Sequence, residues 1–343
     1  MATLYLIEQN TVLRKSSERL LLCRKPSQSK SPGVRIRDVL LELPCEDIDQ
    51  VMLFGNVQVT TQALQQLLRH GIELALFTFS GKLLGQLTPP KTKNIPLRLA
   101  QFEKYKDFAY IFRTAKVIVA NKLTNALQVL KRYQANHPNA FARSDLDKLG
   151  TIIRKVTGTD SLDSLRGLEG SGSAIYFRQF GKMFKKPWHF STRNRRPPKD
   201  PVNAVLSFGY TIVNTELQSL LDGYGFDPYL GFYHTLHYGR PGLALDLLEA
   251  FRHSLVDRLT LNLFNLRVLN ENDFYYTSEE SVLLSSSGKQ KFFQQYERMA
   301  GKYVGDAAVP GQSKSFRYVF QKQVENLARA VSDNSVYEPY CLK

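Results

Sequence analysis

The sequence is poor in cysteine and lacks long apolar runs. Its 343 residues include 3 cysteines, Cys23, Cys45 and Cys341, and no two form a Cys-x-x-Cys pair, which excludes a disulfide framework. No apolar run approaches the roughly 18 to 20 residues that a helix needs to cross a bilayer. The segment Met1 to Asn10 lacks the basic and then apolar stretches of a secretory signal. We therefore expect a soluble protein of the reducing cytoplasm that is not secreted.

Motifs for nucleotide triphosphates are missing as well. The glycine-rich stretch from Gly167 to Gly172 follows no clear strand and contains no Gly-Lys-Ser or Gly-Lys-Thr, and Ser80-Gly-Lys stands alone. No fixed-period repeat is present, and serines near histidines are too unspecific to propose a catalytic triad. The sequence thus gives no support to an NTP site or a serine hydrolase.

What the sequence has in excess is positive charge. Lysine and arginine number 46 against 31 aspartate and glutamate residues, a formal net charge of +15. Such an excess favours a polyanionic partner, either nucleic acid or an acidic membrane face, and charge alone does not choose between them. Apolar residues make up 43% and charged residues 22%, which is ordinary globular composition.

The first 87 residues consist largely of short aliphatic and β-branched runs, the pattern of β-strands. One helix is predicted from Thr61 to Arg69, with Thr60 as its N-cap and Gly71 after its end. The predicted strands are Thr3 to Ile7, Thr11 to Arg14, Arg19 to Cys23, Val51 to Phe54, Ile72 to Phe79 and Lys82 to Leu87.

Residues 88–96 are rich in proline and mark a linker. Beyond them, apolar residues recur three or four apart, the spacing of one buried helical stripe. The sequence therefore predicts an α+β protein with a small β-rich domain at 1–87, a linker at 88–96 and a larger all-α domain at 97–343. The predicted helices are Leu97 to Tyr133, Asp145 to Val156, Leu168 to Phe184, Val202 to Leu221, Leu243 to Leu269 and Phe316 to Val331.

The first of these helices has a basic outer face. For any single lysine there, a solvated surface position is the simpler interpretation, although the face as a whole could meet a polyanion. The basic residues are Arg98, Lys104, Lys106, Arg113, Lys116, Lys122, Lys131 and Arg132.

The region from Gly225 to Glu249 holds the residues best suited to chemistry. Asp246 and Glu249 are three apart on a predicted helix, so their carboxylates share one face, and His234 precedes them. Acids at this spacing are common on solvated helices, and a lone histidine is more often structural than a ligand. Apolar residues flank Asp246, however, and carboxylates in such a setting need a cation or hydrogen bonds to offset desolvation.

A third acid, Glu169, lies among glycines that permit close backbone approach before an apolar helix. It is a candidate third ligand. Oxygen ligands with one imidazole suit Mg²⁺ or Mn²⁺ better than a structural zinc site. Zinc is the alternative, because His234 and His237 form a His-x-x-His pair, but this pair lacks the His-Glu-x-x-His spacing of zinc proteases.

The segment Ser191 to Pro201 combines three arginines and a lysine with three prolines, which predicts a stiff, exposed, cationic loop. Arginine forks bind phosphates well, so the loop is a candidate for holding a DNA backbone; a solvated loop or a protein contact is the alternative. The neighbouring Trp188, His189 and Phe190 could stack on bases, although core packing is the expected role of the aromatics. The candidate DNA-binding residues are Arg193, Arg195, Arg196 and Lys199.

Several unusual blocks then occur in an order typical of one family. They are Arg195 to Tyr210, Gly225 to His234 and Tyr238-Gly-Arg-Pro-Gly-Leu-Ala-Leu-Asp-Leu-Leu-Glu249, together with Glu169 in Leu-Glu-Gly and Tyr337-Glu-Pro-Tyr340. Through them the chain resembles, over nearly its whole length, the Cas-one family of CRISPR-associated endonucleases and integrases.

The resemblance implies an N-terminal β domain that mediates dimerisation and a helical domain that holds a metal site. Glu169, His234 and Glu249 fall on the metal ligands, and Asp246 falls on an additional active-site acid, as a ligand or beside the ligands. Asn203 is expected to support the site from outside the ligand set. The implied cofactor is Mg²⁺ or Mn²⁺.

The implied activity is metal-dependent strand transfer that inserts a new spacer at the repeat of a CRISPR array. The implied partners are double-stranded DNA, as prespacer and repeat, a second copy of the chain and a small Cas-two protein. Two alternatives stay open: a metal-dependent nuclease that resolves branched DNA in repair, and a non-catalytic DNA-binding scaffold whose acids only cap helices.

Overall fold

A computed structural model describes residues 2–25, 39–89, 94–194, 197–234, 236–301 and 315–342. The chain divides into two compact units, Met1–Lys91 and Thr92–Lys343. The division falls inside the proline-rich segment 88–96. Two sequence predictions, those for Arg195 and Arg196, lie outside the described residues.

The first unit is built on two four-stranded sheets. Their strand orders are β1-β5-β7-β8 and β4-β3-β2-β6. All six predicted strands are present within a residue or two, whereas β4 and β6 were missed because one is exposed along much of its length and the other has three residues. The strands are β1 Thr3–Leu6, β2 Thr11–Ser16, β3 Arg19–Arg24, β4 Val39–Pro44, β5 Gln50–Phe54, β6 Val57–Val59, β7 Glu73–Phe77 and β8 Leu83–Leu87.

A helix of this unit, α1, spans Thr61–Arg69, as its capping signals predict. The Thr60 hydroxyl accepts a hydrogen bond from the backbone N–H of Ala63 at 3.3 Å. Gly71 follows at a φ of +73°, a conformation that glycine adopts without strain. Leu67 is fully buried among the apolar strand residues, which stabilises the helix by roughly 1.5–3 kcal/mol.

The second unit is mostly helical, in agreement with the predicted fold class. One detail of the all-α prediction is wrong, because a short hairpin, β9 Phe274–Tyr276 with β10 Val282–Leu284, interrupts the helices. The helices are α2 Ile95–Lys106, α3 Phe108–Asn136, α4 Arg143–Thr157, α5 Leu162–Gly181, α6 Pro201–Tyr224, α7 Gly242–Phe251, a π-helical segment Arg252–Asp257, α8 Arg258–Asn265, α9 Ser286–Ala300 and α10 Phe316–Ser332.

The predicted helix from Leu97 to Tyr133 is in fact two helices, α2 and α3. The break is at Asp107, whose backbone is extended and whose carboxylate accepts a hydrogen bond from the N–H of Tyr110 at 3.1 Å. An aspartate can either cap a new helix or lie inside a continuous one. The spacing of apolar residues does not distinguish these two cases.

Helix α3 packs against α4, α5 and α7 and so lies at the centre of this unit. Its contact with α5 is close, because a Cβ atom on Gly172 would lie 2.6 Å from a methyl carbon of Leu123. The glycines around Glu169 lie inside α5, which begins at Leu162, six residues before the predicted helix start at Leu168. Their effect is to let α5 approach α3.

Lys122 was predicted on the outer face of α3, and this prediction is wrong. The residue is only 5% exposed and points into the helical unit. A lysine at such a position needs charged partners, since an unpaired buried ammonium costs several kcal/mol. Those partners are acids of the site described next.

Candidate active site

Asp246 orders the loop that carries His234. Both acids of α7, Asp246 and Glu249, are buried, at 2% exposure each. Asp246 accepts hydrogen bonds from the backbone N–H groups of Phe232 at 2.6 Å, Tyr233 at 3.0 Å and His234 at 2.9 Å. The loop can approach α7 this closely because Gly231 has no side chain; its Cβ would lie 2.5 Å from the carbonyl carbon of Gly242.

The same carboxylate orients the imidazole. Asp246 Oδ1 lies 2.7 Å from His234 Nδ1. Since a carboxylate accepts and does not donate, Nδ1 carries a proton, and in the neutral tautomer that this contact selects the lone pair lies on Nε2. Asp246 therefore binds both His234 and the backbone of its loop.

Glu249 is the acid that faces His234 Nε2. Its Oε1 lies 3.7 Å from Nε2 and 2.9 Å from Arg252 Nε, and its Oε2 lies 2.8 Å from Lys122 Nζ. Burial raises the pKa of this carboxyl, but the charges of Arg252 and Lys122 outweigh burial and hold the pKa well below its ordinary value. Glu249 is thus ionised at neutral pH.

Glu169 approaches the same point from α5. Its Oε1 is paired with the ammonium of Lys122 and accepts a hydrogen bond from the Ser173 hydroxyl at 3.3 Å. Lys122 therefore lies between two carboxylates that belong to different helices. The sequence prediction that Glu169, His234 and Glu249 meet is consistent with this arrangement.

These residues line one cavity of about 220 Å³. Four cationic side chains face its two carboxylates, so the lining carries a net charge of +2 with His234 neutral. The sequence reading missed Arg166 and Arg252, although each is three residues from a predicted ligand, and it also missed Tyr233 and Arg240. The lining residues are Lys122, Arg166, Glu169, Tyr233, His234, Arg240, Glu249 and Arg252.

The donor set, two carboxylates and one imidazole, suits a hard divalent cation. Among the described residues, no three His, Cys, Asp or Glu side chains converge closely enough to hold an ion as they stand. His234 Nε2 and the Glu249 carboxylate, 3.7 Å apart at Oε1, are close enough to share an ion, because ligands at about 2.1 Å in an octahedral shell lie about 3.0 to 4.2 Å apart. Glu249 Oε2, the oxygen that Arg252 does not bind, is paired with the Lys122 ammonium at 2.8 Å.

The zinc alternative receives no support from the geometry. His237 is exposed, and its Nδ1 lies 3.2 Å from the carbonyl oxygen of Tyr238. It is not among the residues that line the cavity. The His-x-x-His pair is thus divided between the cavity and the surface.

A buried network holds Arg252 in place. Asp257 accepts hydrogen bonds from the hydroxyl groups of Tyr210 at 2.5 Å and Tyr176 at 2.8 Å, and lies 2.7 Å from His253 Nδ1. Burial, and next the charge of Asp257, raise the pKa of both tyrosines, which keeps them protonated as donors. The Tyr210 ring lies 4.6 Å from the Arg252 guanidinium, so the π-helical segment is fixed beside Glu249.

The cationic loop is anchored by Asn203 and not simply exposed. Asn203 donates to the carbonyl of Thr192 at 2.9 Å and accepts from Arg193 Nη1 at 2.7 Å. Arg193 also donates to the Ser207 hydroxyl at 2.9 Å and is half-buried, whereas Lys199 is exposed. Asn203 therefore supports the loop, while its predicted support of the metal site is not seen in these contacts.

A second cavity, of about 320 Å³, lies beside the first along α5. Ser173 belongs to its wall and also binds Glu169, so the two cavities share a boundary. No acidic residue lines it, and two arginines do. Its lining consists of Gly170, Ser173, Ala174, Phe177, Arg178, Ser191, Thr192 and Arg193.

The aromatic residues beside the loop belong to the core, as the packing alternative expected. Phe190 is 7% exposed and its ring lies 5.6 Å from that of Phe180. Trp188 lies 4.8 Å from the ring of Phe264. Phe190 is therefore a core residue, whereas Trp188 is half-buried against Phe264.

A β-rich unit followed by a helical unit with a buried carboxylate–imidazole centre defines an α+β class of protein with a polar, cationic site. Residues 4–298 match the family model described as CRISPR associated protein Cas1. The chain belongs to the Cas1 family. The resemblance drawn from the sequence motifs is thereby confirmed.

Relatives and solved structures agree with this assignment. A CRISPR-associated endonuclease Cas1 of Thermodesulfovibrio yellowstonii is 36% identical over 260 residues, covering 75% of this chain and 81% of its own. A Cas1 protein from Thermotoga maritima superposes with a TM-score of 0.80 at 25% identity, covering 98% of this chain and 99% of its own.

Two further solved structures show the fold alone. A casposase bound to integration product gives a TM-score of 0.85 at 22% identity, covering 100% of this chain and 95% of its own. A Cas6-RT-Cas1–Cas2 complex gives 0.81 at 24% identity, covering 100% of this chain and 36% of its own.

In the part of the chain described by the structure, no helix combines the length and the apolar character needed to span a membrane.

Proposed function

We propose that this chain is a divalent-metal-dependent DNA endonuclease and integrase that inserts new spacer DNA at the repeat of a CRISPR array. The observation that carries the proposal is the meeting of Glu169, His234 and Glu249 at one cationic cavity in a member of the Cas1 family. The names of its relatives, endonuclease among them, support the same chemistry. The excess of basic residues supports a DNA substrate.

Glu169, His234 and Glu249 would hold Mg²⁺ or Mn²⁺. When bound, such an ion supplies Lewis-acid stabilisation of the phosphodiester and lowers the pKa of the attacking hydroxyl group. Asp246 keeps the proton on His234 Nδ1, so that Nε2 stays available as a donor atom. Glu249 remains ionised because its pKa is lowered by the cations around it.

The arginines of the cavity would hold the phosphate to be attacked. Arg166, three residues before Glu169, Arg252, three residues after Glu249, and Arg240 all line the cavity. Guanidinium groups donate several fixed N–H bonds to phosphate oxygens. They would position the phosphodiester and offset the charge that develops on it during transfer.

The second cavity and the cationic loop would guide the DNA strand towards this centre. Arg178 and Arg193 line that cavity, and Lys199 is exposed on the same loop as Arg193. Arg195 and Arg196 belong to this proposed set by sequence. Their role would be contact with phosphates and not bases, since an integrase must accept spacers of many sequences.

The proposed partners are double-stranded DNA, a second copy of the chain through its β-rich unit, and a Cas2 protein. A solved structure with the same fold is a complex that contains Cas1 and Cas2, which supports the last of these. Size-exclusion chromatography with light scattering, of the chain alone and mixed with a Cas2 protein, would test the assembly.

The central experiment compares Glu169→Ala, His234→Ala and Glu249→Ala with the wild type in cleavage and joining of DNA that carries a CRISPR repeat. Each variant should lose activity in Mg²⁺ or Mn²⁺ yet keep DNA binding, because ligands hold the metal and basic residues hold the phosphates. Glu103→Ala, a change of an exposed glutamate of α2, is the matched control and should remain active.

The outcomes separate the alternatives. Hydrolysis of branched DNA without joining would favour a repair nuclease. Binding without either reaction, unaffected by metal, would favour a non-catalytic scaffold. Full activity of any of the three variants would remove that residue from the site.

A further inference from the structure

Lys122 has an unusual position for a lysine. It is 5% exposed, in the middle of α3, and its ammonium is paired with Glu169 and with Glu249 Oε2, the latter at 2.8 Å. Both partners come from other helices, α5 and α7. A single positive charge thus joins the two acids that the proposed function assigns to the metal.

The ammonium and a divalent ion would use the same oxygens. Arg252 binds the other oxygen of Glu249, Oε1, and therefore leaves Oε2 to Lys122. A cation that binds both glutamates would have to lie where Nζ now lies. Two cations in contact there would repel each other strongly, because the site is buried and poorly screened.

We propose that Lys122 is a built-in counter-cation: its ammonium and the divalent ion occupy the space between Glu169 and Glu249 alternately. In the metal-free protein the ammonium keeps the buried Glu249 and the half-buried Glu169 paired and close together. When the ion arrives, the flexible lysine stem carries the ammonium into the cavity, where it meets the DNA phosphate. This inference rests on the proposed function for the identity of the metal ligands.

One consequence is a coupling between metal and DNA. A metal ion releases the ammonium towards the phosphate, and a phosphate that holds the ammonium leaves the carboxylates open to the metal. Each ligand therefore raises the affinity for the other, by the same factor in both directions. If Lys122 had only a structural role, the accessibility of its amine would not change when the metal binds.

The first test uses the wild-type protein. Reductive methylation of lysine amines is followed by mass spectrometry with and without Mg²⁺, in the absence of DNA. The amine of Lys122 should react slowly without the ion and severalfold faster with it, whereas exposed Lys131, on the same helix, should react at one rate in both. An unchanged rate at Lys122 in Mg²⁺ would overturn the proposal.

The second test measures Mn²⁺ binding by calorimetry. Lys122→Met should bind Mn²⁺ at least about tenfold more tightly than the wild type, because the competing charge is gone. Its metal-free form should melt at a lower temperature, and Mn²⁺ should recover most of the difference. Lys131→Met, with the same loss of charge, should match the wild type. Equal or weaker binding by folded Lys122→Met contradicts alternate occupancy.

The two proposals fail in different ways. If Glu169→Ala binds Mn²⁺ as the wild type does, the ligand assignment is wrong and the counter-cation falls with it. If Mn²⁺ binding requires Glu169 while the Lys122 amine stays protected, the metal site stands and only the counter-cation is refuted. If Lys122→Met does not fold, the methylation rates of Lys122 in the wild type, with and without Mg²⁺, test the counter-cation proposal.

Discussion

Replacement of Asp246 by asparagine tests the role of this residue as the group that orients His234. Asp246 Oδ2 accepts from the N–H groups of Phe232 and Tyr233, and Oδ1 accepts from the N–H and the ring of His234. Whichever oxygen becomes the amide nitrogen, the two hydrogen bonds that this oxygen accepts are lost. Two buried N–H donors then face the N–H group of the new amide. Hydrogen bonds to charged groups stabilise by about 1.5–3 kcal/mol each.

The gross loss is therefore about 3–6 kcal/mol, and relief of the buried charge offsets part of it. We expect Asp246→Asn to lower the free energy of unfolding of the helical unit by about 3 kcal/mol. Metal affinity should fall by about 10–100-fold without disappearing, as is usual when a group that orients a ligand is changed. Turnover should fall as well.

Urea unfolding followed by tryptophan fluorescence measures the stability, because the only tryptophan, Trp188, reports on the helical unit. Asp147→Asn, an exposed aspartate of α4, is the control and should leave the midpoint unchanged. Unchanged stability of Asp246→Asn would refute the hydrogen-bond account. Complete loss of metal binding with intact stability would instead make Asp246 a ligand.

Three other perturbations follow from the same geometry. Gly170→Leu places a side chain in the second cavity, where a Cβ meets nothing within 4 Å. DNA should therefore bind more weakly in a gel-shift assay, while the affinity for Mn²⁺ is unchanged. Gly223→Leu, at an equally open position near the end of α6, is the control. Neutralising Arg195, Arg196 and Lys199 together should reduce the slope of log K against log salt by about 2.7, at roughly 0.9 per phosphate contact, and an unchanged slope would assign the loop to protein or solvent. The depressed pKa of Glu249 gives stability that is present above its ordinary value of 4.5 and is lost as pH falls through the lower, folded pKa. Glu249→Gln should therefore lose less stability than the wild type between neutral pH and the acid limb, and equal losses would contradict this assignment.

Local signals predicted those parts of the fold that local forces decide. Helix α1 begins after Thr60 and ends before Gly71, as expected, because a side-chain cap and a positive φ each depend on the type of one residue. The break at Asp107 was missed, since the same residue type is compatible with a helix interior and with a cap. The choice depends on tertiary packing, which a count of apolar spacing does not contain.

The site shows the same division. The acids and His234 could be proposed from their motifs, and the spacing of Arg166 and Arg252 from those acids was a signal available but unused. Lys122 carried no such signal, because on α3 it resembles its solvated neighbours and only packing against α5 and α7 buries it. Asn203 was assigned to the metal site, yet its contacts hold the cationic loop.

Anomalous diffraction from a crystal soaked in Mn²⁺ tests the central claim most directly, because it locates the ion without reference to activity. The account predicts one manganese peak at about 2.0–2.3 Å from Glu169, His234 Nε2 and Glu249, with Lys122 Nζ turned away into the cavity. A peak elsewhere, such as beside His237, or no peak at these three side chains at saturating Mn²⁺, would contradict it.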